Sequence, residues 1–84
     1  MSFITFAQQE PDPRKVTNDW IVRASAGVRL GSVSWFAAWR RYTFKPDAGG
    51  VFDAVCLREI ADFCEGATEG RKRERAAERG ELRV

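Results

Sequence analysis

The chain has no histidine, and only two of its 84 residues are cysteines. Without an imidazole, the usual base for a serine or cysteine nucleophile is missing, and no Gly-x-Ser-x-Gly segment replaces it. Cys56 and Cys64 are too few to hold a metal ion, and no further ligand set stands beside them. On one helix they would lie about 12 Å apart, too far for a disulfide, so they read as buried free thiols of a reducing compartment. No apolar run approaches the roughly 20 residues that a membrane span requires. The first residues, Met1 to Ala7, carry no basic stretch and too short an apolar run for a secretory signal. These absences point away from an enzyme, a cofactor and a membrane. They are the expectations for a cytoplasmic protein, in a cell or in an infected host.

Aromatic residues are plentiful: three Trp and six Phe, enough for a compact aromatic core in a single small domain. Charge is unevenly placed. Residues 1–66 hold eight Lys or Arg and eight Asp or Glu, whereas residues 67–84 hold six basic and four acidic residues, which is the whole net charge of +2. The expected division is a single α+β domain over residues 1–68 and a charged C-terminal tail, helical or frayed, over residues 69–84.

The stretch Trp20 to Lys45 reads as three antiparallel strands: Asp19 to Ser25, Val28 to Trp35 and Trp39 to Lys45. A two-residue turn at Ala26-Gly27 puts Trp20, Val22 and Ala24 on one face with Arg29, Gly31 and Val33. An even-length turn around Ala37-Ala38 adds Trp35, Arg40, Tyr42 and Phe44 to that face. The β-prone run Phe3-Ile4-Thr5-Phe6 is positioned to add a fourth strand at a sheet edge. Glu10-Pro11-Asp12-Pro13 marks the intervening stretch as a loop.

A helix is expected from about Val51 to Glu65. Phe52, Cys56, Leu57, Ile60, Phe63, Cys64 and Ala67 recur three and four apart on one face, with Asp53 in the first turn and Gly66 as the C-terminal cap. The fold class is therefore an antiparallel meander of three or four strands packed on one C-terminal helix. Gly31 is expected to make room for a closely approaching ring or helix. The segment Asp47-Ala48-Gly49-Gly50 before a helix suggests phosphate binding only weakly, since no Lys follows and Asp53 would repel the anion.

The opposite sheet face carries Ile21, Arg23, Leu30, Ser32, Ser34, Trp39, Arg41, Thr43 and Lys45. It has the polar groups of a wet surface together with apolar residues that such a surface does not require. Candidate partner-binding residues are Arg23, Leu30, Phe36, Trp39, Arg41 and Lys45, because Trp and Arg together are what interface hot spots favour. A protein partner accounts best for Ile21, Leu30, Phe36 and Trp39. Nucleic acid is the alternative, with the basic groups on phosphates and Trp39 as a stacking platform. A homodimer is compatible with either.

The segments Leu30-Gly31-Ser32-Val33-Ser34-Trp35, Trp39-Arg40-Arg41-Tyr42-Thr43-Phe44-Lys45-Pro46, Val51-Phe52 and Cys56-Leu57-Arg58-Glu59-Ile60-Ala61-Asp62-Phe63-Cys64 form a distinctive pattern. It resembles a group of small uncharacterised proteins of bacteriophages and prophages over about residues 19–68. The resemblance implies a setting and no particular activity: an accessory product of a phage or mobile element in the cytoplasm of a bacterial or phage-infected host cell, of the kind that serves as an adaptor or an inhibitor of host machinery.

Overall fold

Alternating side chains make each strand two-faced, and the half-buried aromatic face needs a cover. The computed structural model describes residues 4–78 and supplies that cover with one long helix. Strands β1 (Ile4–Gln8), β2 (Trp20–Ala24), β3 (Arg29–Phe36) and β4 (Arg41–Pro46) precede α1 (Ala54–Glu78). The strands form an antiparallel sheet in the order β1-β2-β3-β4. The fourth strand expected near the N-terminus is thus present as β1, at a sheet edge; Met1, Ser2 and Phe3 lie outside the described residues.

The inner face is the expected one. Trp20 lies opposite Val33 and Val22 opposite Gly31, while Val33 faces Phe44 and Trp35 faces Tyr42. Its first turn differs from expectation. The Ala24 amide donates to the Val28 carbonyl at 2.8 Å, so the loop is Ser25-Ala26-Gly27, with Gly27 at φ 93°. That conformation suits glycine, which has no Cβ to clash. An odd loop would invert the faces, but the register shifts once more between Val22 and Arg23, leaving Leu30 as an extra, bulged residue. The two single-residue offsets cancel. Arg29 consequently leaves the inner face, lies opposite Arg23 and pairs with Asp47 at 3.0 Å.

Ile4, Val22, Val33, Tyr42 and Ile60 form the buried core. Rings extend it across the layers. Phe6 of β1 stacks on Phe63 of α1 at 3.9 Å; Phe63 meets Trp20 edge-on at 5.1 Å; Tyr42 sits edge-on to both Trp20 and Trp35 at 5.2 Å. Edge-to-face contacts of this kind add about 0.5–1.5 kcal/mol each beyond burial. Gly31 is required by its neighbours, since a Cβ there would lie 2.3 Å from the Lys45 carbonyl oxygen and 2.8 Å from the Phe44 ring.

Two helix boundaries differ from the expected ones. Asp53 is the N-cap itself: its Oδ1 accepts the Cys56 amide at 2.9 Å while its carbonyl accepts the Leu57 amide. That amide hydrogen bond holds the Asp53 carboxyl below the usual carboxylate range. It also fills the position that an anion would take at this helix end. At the other end, α1 passes through Gly66 and Gly70 without a break and crosses the expected boundary at residue 68. Gly66 is not in the left-handed conformation of a cap. Glycine in a helix interior costs about 1 kcal/mol against alanine, and here tertiary contact outweighs that cost. Ala67 packs on the core, and Thr68 is buried against β4. Residues 79–84 of the expected tail lie outside the described residues. Leu57, counted on the apolar face from spacing alone, is 50% exposed.

β4 is an edge strand, so its outward amides have no neighbouring strand to pair with. The Tyr42 amide donates instead to Thr68 Oγ1 at 3.0 Å, and that hydroxyl donates to the Cys64 carbonyl at 2.8 Å. The Tyr42 hydroxyl accepts the Asn18 amide at 3.1 Å, which ties the β1–β2 loop to the same strand.

Substitutions at three positions test this packing by equilibrium unfolding. Gly31→Ala should destabilise by about 1–3 kcal/mol or more, since its Cβ meets backbone; an unmoved midpoint would contradict the register. Gly66→Ala should stabilise by roughly 0.5–1 kcal/mol, whereas at a left-handed cap it would do the opposite. Thr68→Val should cost about 1–3 kcal/mol by orphaning the Tyr42 amide, with Thr68→Ser retaining most of the stability. Equal stability of Val and Ser would show that the hydroxyl bridge contributes nothing.

Candidate functional site

The turn between β3 and β4 builds the most distinctive surface of the molecule. Ala37-Ala38-Trp39-Arg40 forms a four-residue loop, in which the Trp39 amide donates to the Phe36 carbonyl at 3.1 Å and the Arg40 amide to the Ala37 carbonyl at 3.2 Å. Such a coil must be reversed before the chain re-enters the sheet. Arg40 makes the reversal at φ 53°, an uncommon conformation for a residue with a Cβ. The loop length is even, as expected, but Trp39 lies in the loop rather than in the third expected strand.

This loop gathers three of the expected site residues. Phe36 and Arg41 are cross-strand partners on the face away from the helix. Trp39 meets Phe36 edge-on, with ring centroids 4.8 Å apart, and the Trp39 carbonyl accepts the Arg41 Nε–H at 3.2 Å. Trp39 is 63% exposed and Phe36 37%, so two large rings face solvent side by side. Two further expected residues share the face at a distance. Arg23 stands on β2, opposite Thr5, and Lys45 stands on β4, opposite Ser32. The four-residue step from Arg41 to Lys45 along an extended strand is about 13 Å. Arg23, Arg41 and Lys45 have no carboxylate partner among the described residues. Leu30 does not belong to this set. It is the bulged residue, half-buried and packed against the core cluster, so its side chain is taken up by the fold.

The helix side of the same hairpin holds residues that sequence reasoning assigned to a solvated tail. A groove of about 530 Å³ runs between β4 and α1, with Arg40 and Tyr42 on one wall and Glu65, Thr68, Glu69 and Lys72 on the other. A smaller recess of about 200 Å³ adjoins it through Arg40 and Lys72, and is completed by Trp35, Arg71 and Arg75. The Arg71 side chain is 12% exposed, unusual for a residue of a solvated tail. The available signal was the continuation of the helical stripe: Ile60, Cys64, Ala67 and Arg71 follow at spacings of four, three and four. A long arginine stem covers apolar surface as an aliphatic residue would.

Neither cysteine is activated. Hydrogen bonding to the Asp53 carboxylate, with burial second, pushes the Cys56 thiol up; burial, then the charge of Glu65, pushes up Cys64. The thiolate is the nucleophilic and metal-binding form, and both environments disfavour it. Among the described residues no group of three or more Cys, Asp or Glu side chains converges as metal ligands would, and no helix is long and apolar enough to cross a membrane. Comparison of the chain with protein-family models, with curated proteins and with solved structures finds no match.

Proposed function

We propose that this chain is a non-catalytic protein-binding module of phage type, an adaptor or inhibitor of host machinery, that engages its partner with the hairpin end of the open sheet face. The observation that carries this reading is the exposed Phe36–Trp39 ring pair with Arg41 tethered beside it. Large rings in water cost hydration free energy that the fold does not recover, because the core is complete without them. Aromatic residues and arginine held in a fixed cluster are the composition of interface hot spots. The raised thiols of Cys56 and Cys64 support a binding role over nucleophilic chemistry.

One observation favours a second reading. Arg23, Arg41 and Lys45 leave the open face cationic, which suits nucleic acid laid against the sheet with Trp39 stacking on a base.

Affinity capture from a bacterial lysate, with and without nuclease, separates the two. On the protein-binding reading, capture survives nuclease, and Trp39→Ala weakens binding to the recovered protein by about 2 kcal/mol or more with the unfolding midpoint nearly unchanged. On the nucleic-acid reading, capture is lost with nuclease, and Arg41→Ala and Lys45→Ala each flatten the salt dependence by about one phosphate's worth. Unfolding of Trp39→Ala would assign Trp39 to the core and sink both.

A further inference from the structure

The recess on the helix side of the β3–β4 hairpin has an unusual lining. Four of its residues, Arg40, Arg71, Lys72 and Arg75, are cations, the fifth is Trp35, and no carboxylate among the described residues lines it. The residues arrive from separate parts of the chain. Arg40 is held there by its left-handed backbone at the end of the hairpin loop. The other three cations come from a single turn of α1. Arg71 and Arg75 are four apart on that helix, an arrangement in which like charges repel. The nearby acids relieve this only in part. Glu74 reaches Arg71 at 3.8 Å and Glu69 reaches Lys72 at 3.9 Å, both at the long limit of ion pairing. Arg40 and Arg75 have no carboxylate partner among the described residues.

We propose that this recess binds a phosphate group, forming an anion site separate from the open sheet face. Three observations carry the assignment. The indole of Trp35 and the covered stem of Arg71 form a wall of low dielectric, against which charges act more strongly than in open solvent. Guanidinium forks match phosphate oxygens two at a time, and three of the four cations are arginines. A volume of about 200 Å³ admits a phosphate or phosphodiester, and the adjoining groove, where Glu65 and Glu69 join the lining, leaves room for the part of the molecule that carries it and confines the anion to the recess. Trp35 and Phe36 are neighbours in β3, so their side chains project to opposite faces of the sheet. The anion site therefore lies behind the hairpin, and the ring pair lies in front of it.

The test uses the full chain with two probes, pyrophosphate and a labelled single-stranded oligonucleotide of about twelve nucleotides. Binding is followed by anisotropy for the oligonucleotide and by the Trp indole N–H resonances for both probes. The Trp35 resonance should shift on titration, and the Trp39 resonance should stay in place. The double substitution Arg40→Gln with Arg75→Gln should weaken binding about tenfold or more at low salt and flatten the oligonucleotide's salt slope by about 0.7 per cation removed. Its unfolding midpoint shows whether the variant is folded, and the resonances of the unsubstituted chain report on the site if it is not. Competition between the probes identifies the phosphodiester of a strand as ligand. Binding of pyrophosphate alone identifies a free phosphate compound; either result supports the site. The proposal is overturned if neither probe moves Trp35, or if binding persists in a folded double variant and disappears in Trp39→Ala.

Discussion

One hydroxyl group closes the fold. Thr68 Oγ1 accepts the outward amide of Tyr42 and passes a hydrogen bond on to the Cys64 carbonyl. An edge strand otherwise presents unpaired amides and carbonyls, which invite pairing with another chain. With Thr68 in place, the helix acts along part of β4 as a neighbouring strand would. The contact also fixes where α1 lies: its principal sheet neighbour is β4, at one edge, rather than the middle of the sheet. Tyr42 is the other half of the device. Its amide binds the helix, its hydroxyl binds the β1–β2 loop, and its ring is wedged between Trp20 and Trp35.

The rest of the architecture follows from this off-centre helix. An edge-seated helix must still reach β1, and Phe63 does so by stacking on Phe6 while its edge contact with Trp20 bridges the gap. The β3–β4 hairpin is held from behind by the same arrangement, because Trp35 and Tyr42 are cross-strand partners within the core face. A hairpin fixed on its inner side presents its outer residues at defined positions. Phe36, Trp39 and Arg41 are accordingly displayed by a rigid base, although their own loop contributes only short-range hydrogen bonds. The continuation of α1 past Gly66 brings Arg71, Lys72 and Arg75 to the back of that hairpin.

Much of this was legible from residues alone. Alternation over Trp20 to Phe44 identifies the inner face, since side chains on a strand change sides at every residue whatever surrounds them. Spacings of three and four from Phe52 to Ala67 identify the helix for the same local reason. The inner register emerged correctly even though the first turn differs from the one read, because a three-residue loop and the bulge at Leu30 cancel. No local rule distinguishes that combination from a two-residue turn with no bulge. It is the combination, however, that puts Arg29 opposite Arg23 and takes Leu30 into the packed interior.

What the sequence determined by itself, then, is periodic: which residues are strand or helix, which face is apolar, and that Phe36, Trp39 and Arg41 are not needed by the core. What only the tertiary structure decided is relational. Gly66 looks like a helix end because glycine is a poor helix former, and α1 passes through it because Ala67 and Thr68 find partners on the sheet. Arg40 and Arg71 look like unrelated surface charges, and they line one recess because the hairpin and the helix fold back on each other. Such features rest on contacts between residues as far apart as Tyr42 and Thr68, which are 26 positions apart. Periodicity reports the environment of each segment. It carries no information on which segments meet, because that is settled by the packing free energy of the whole chain.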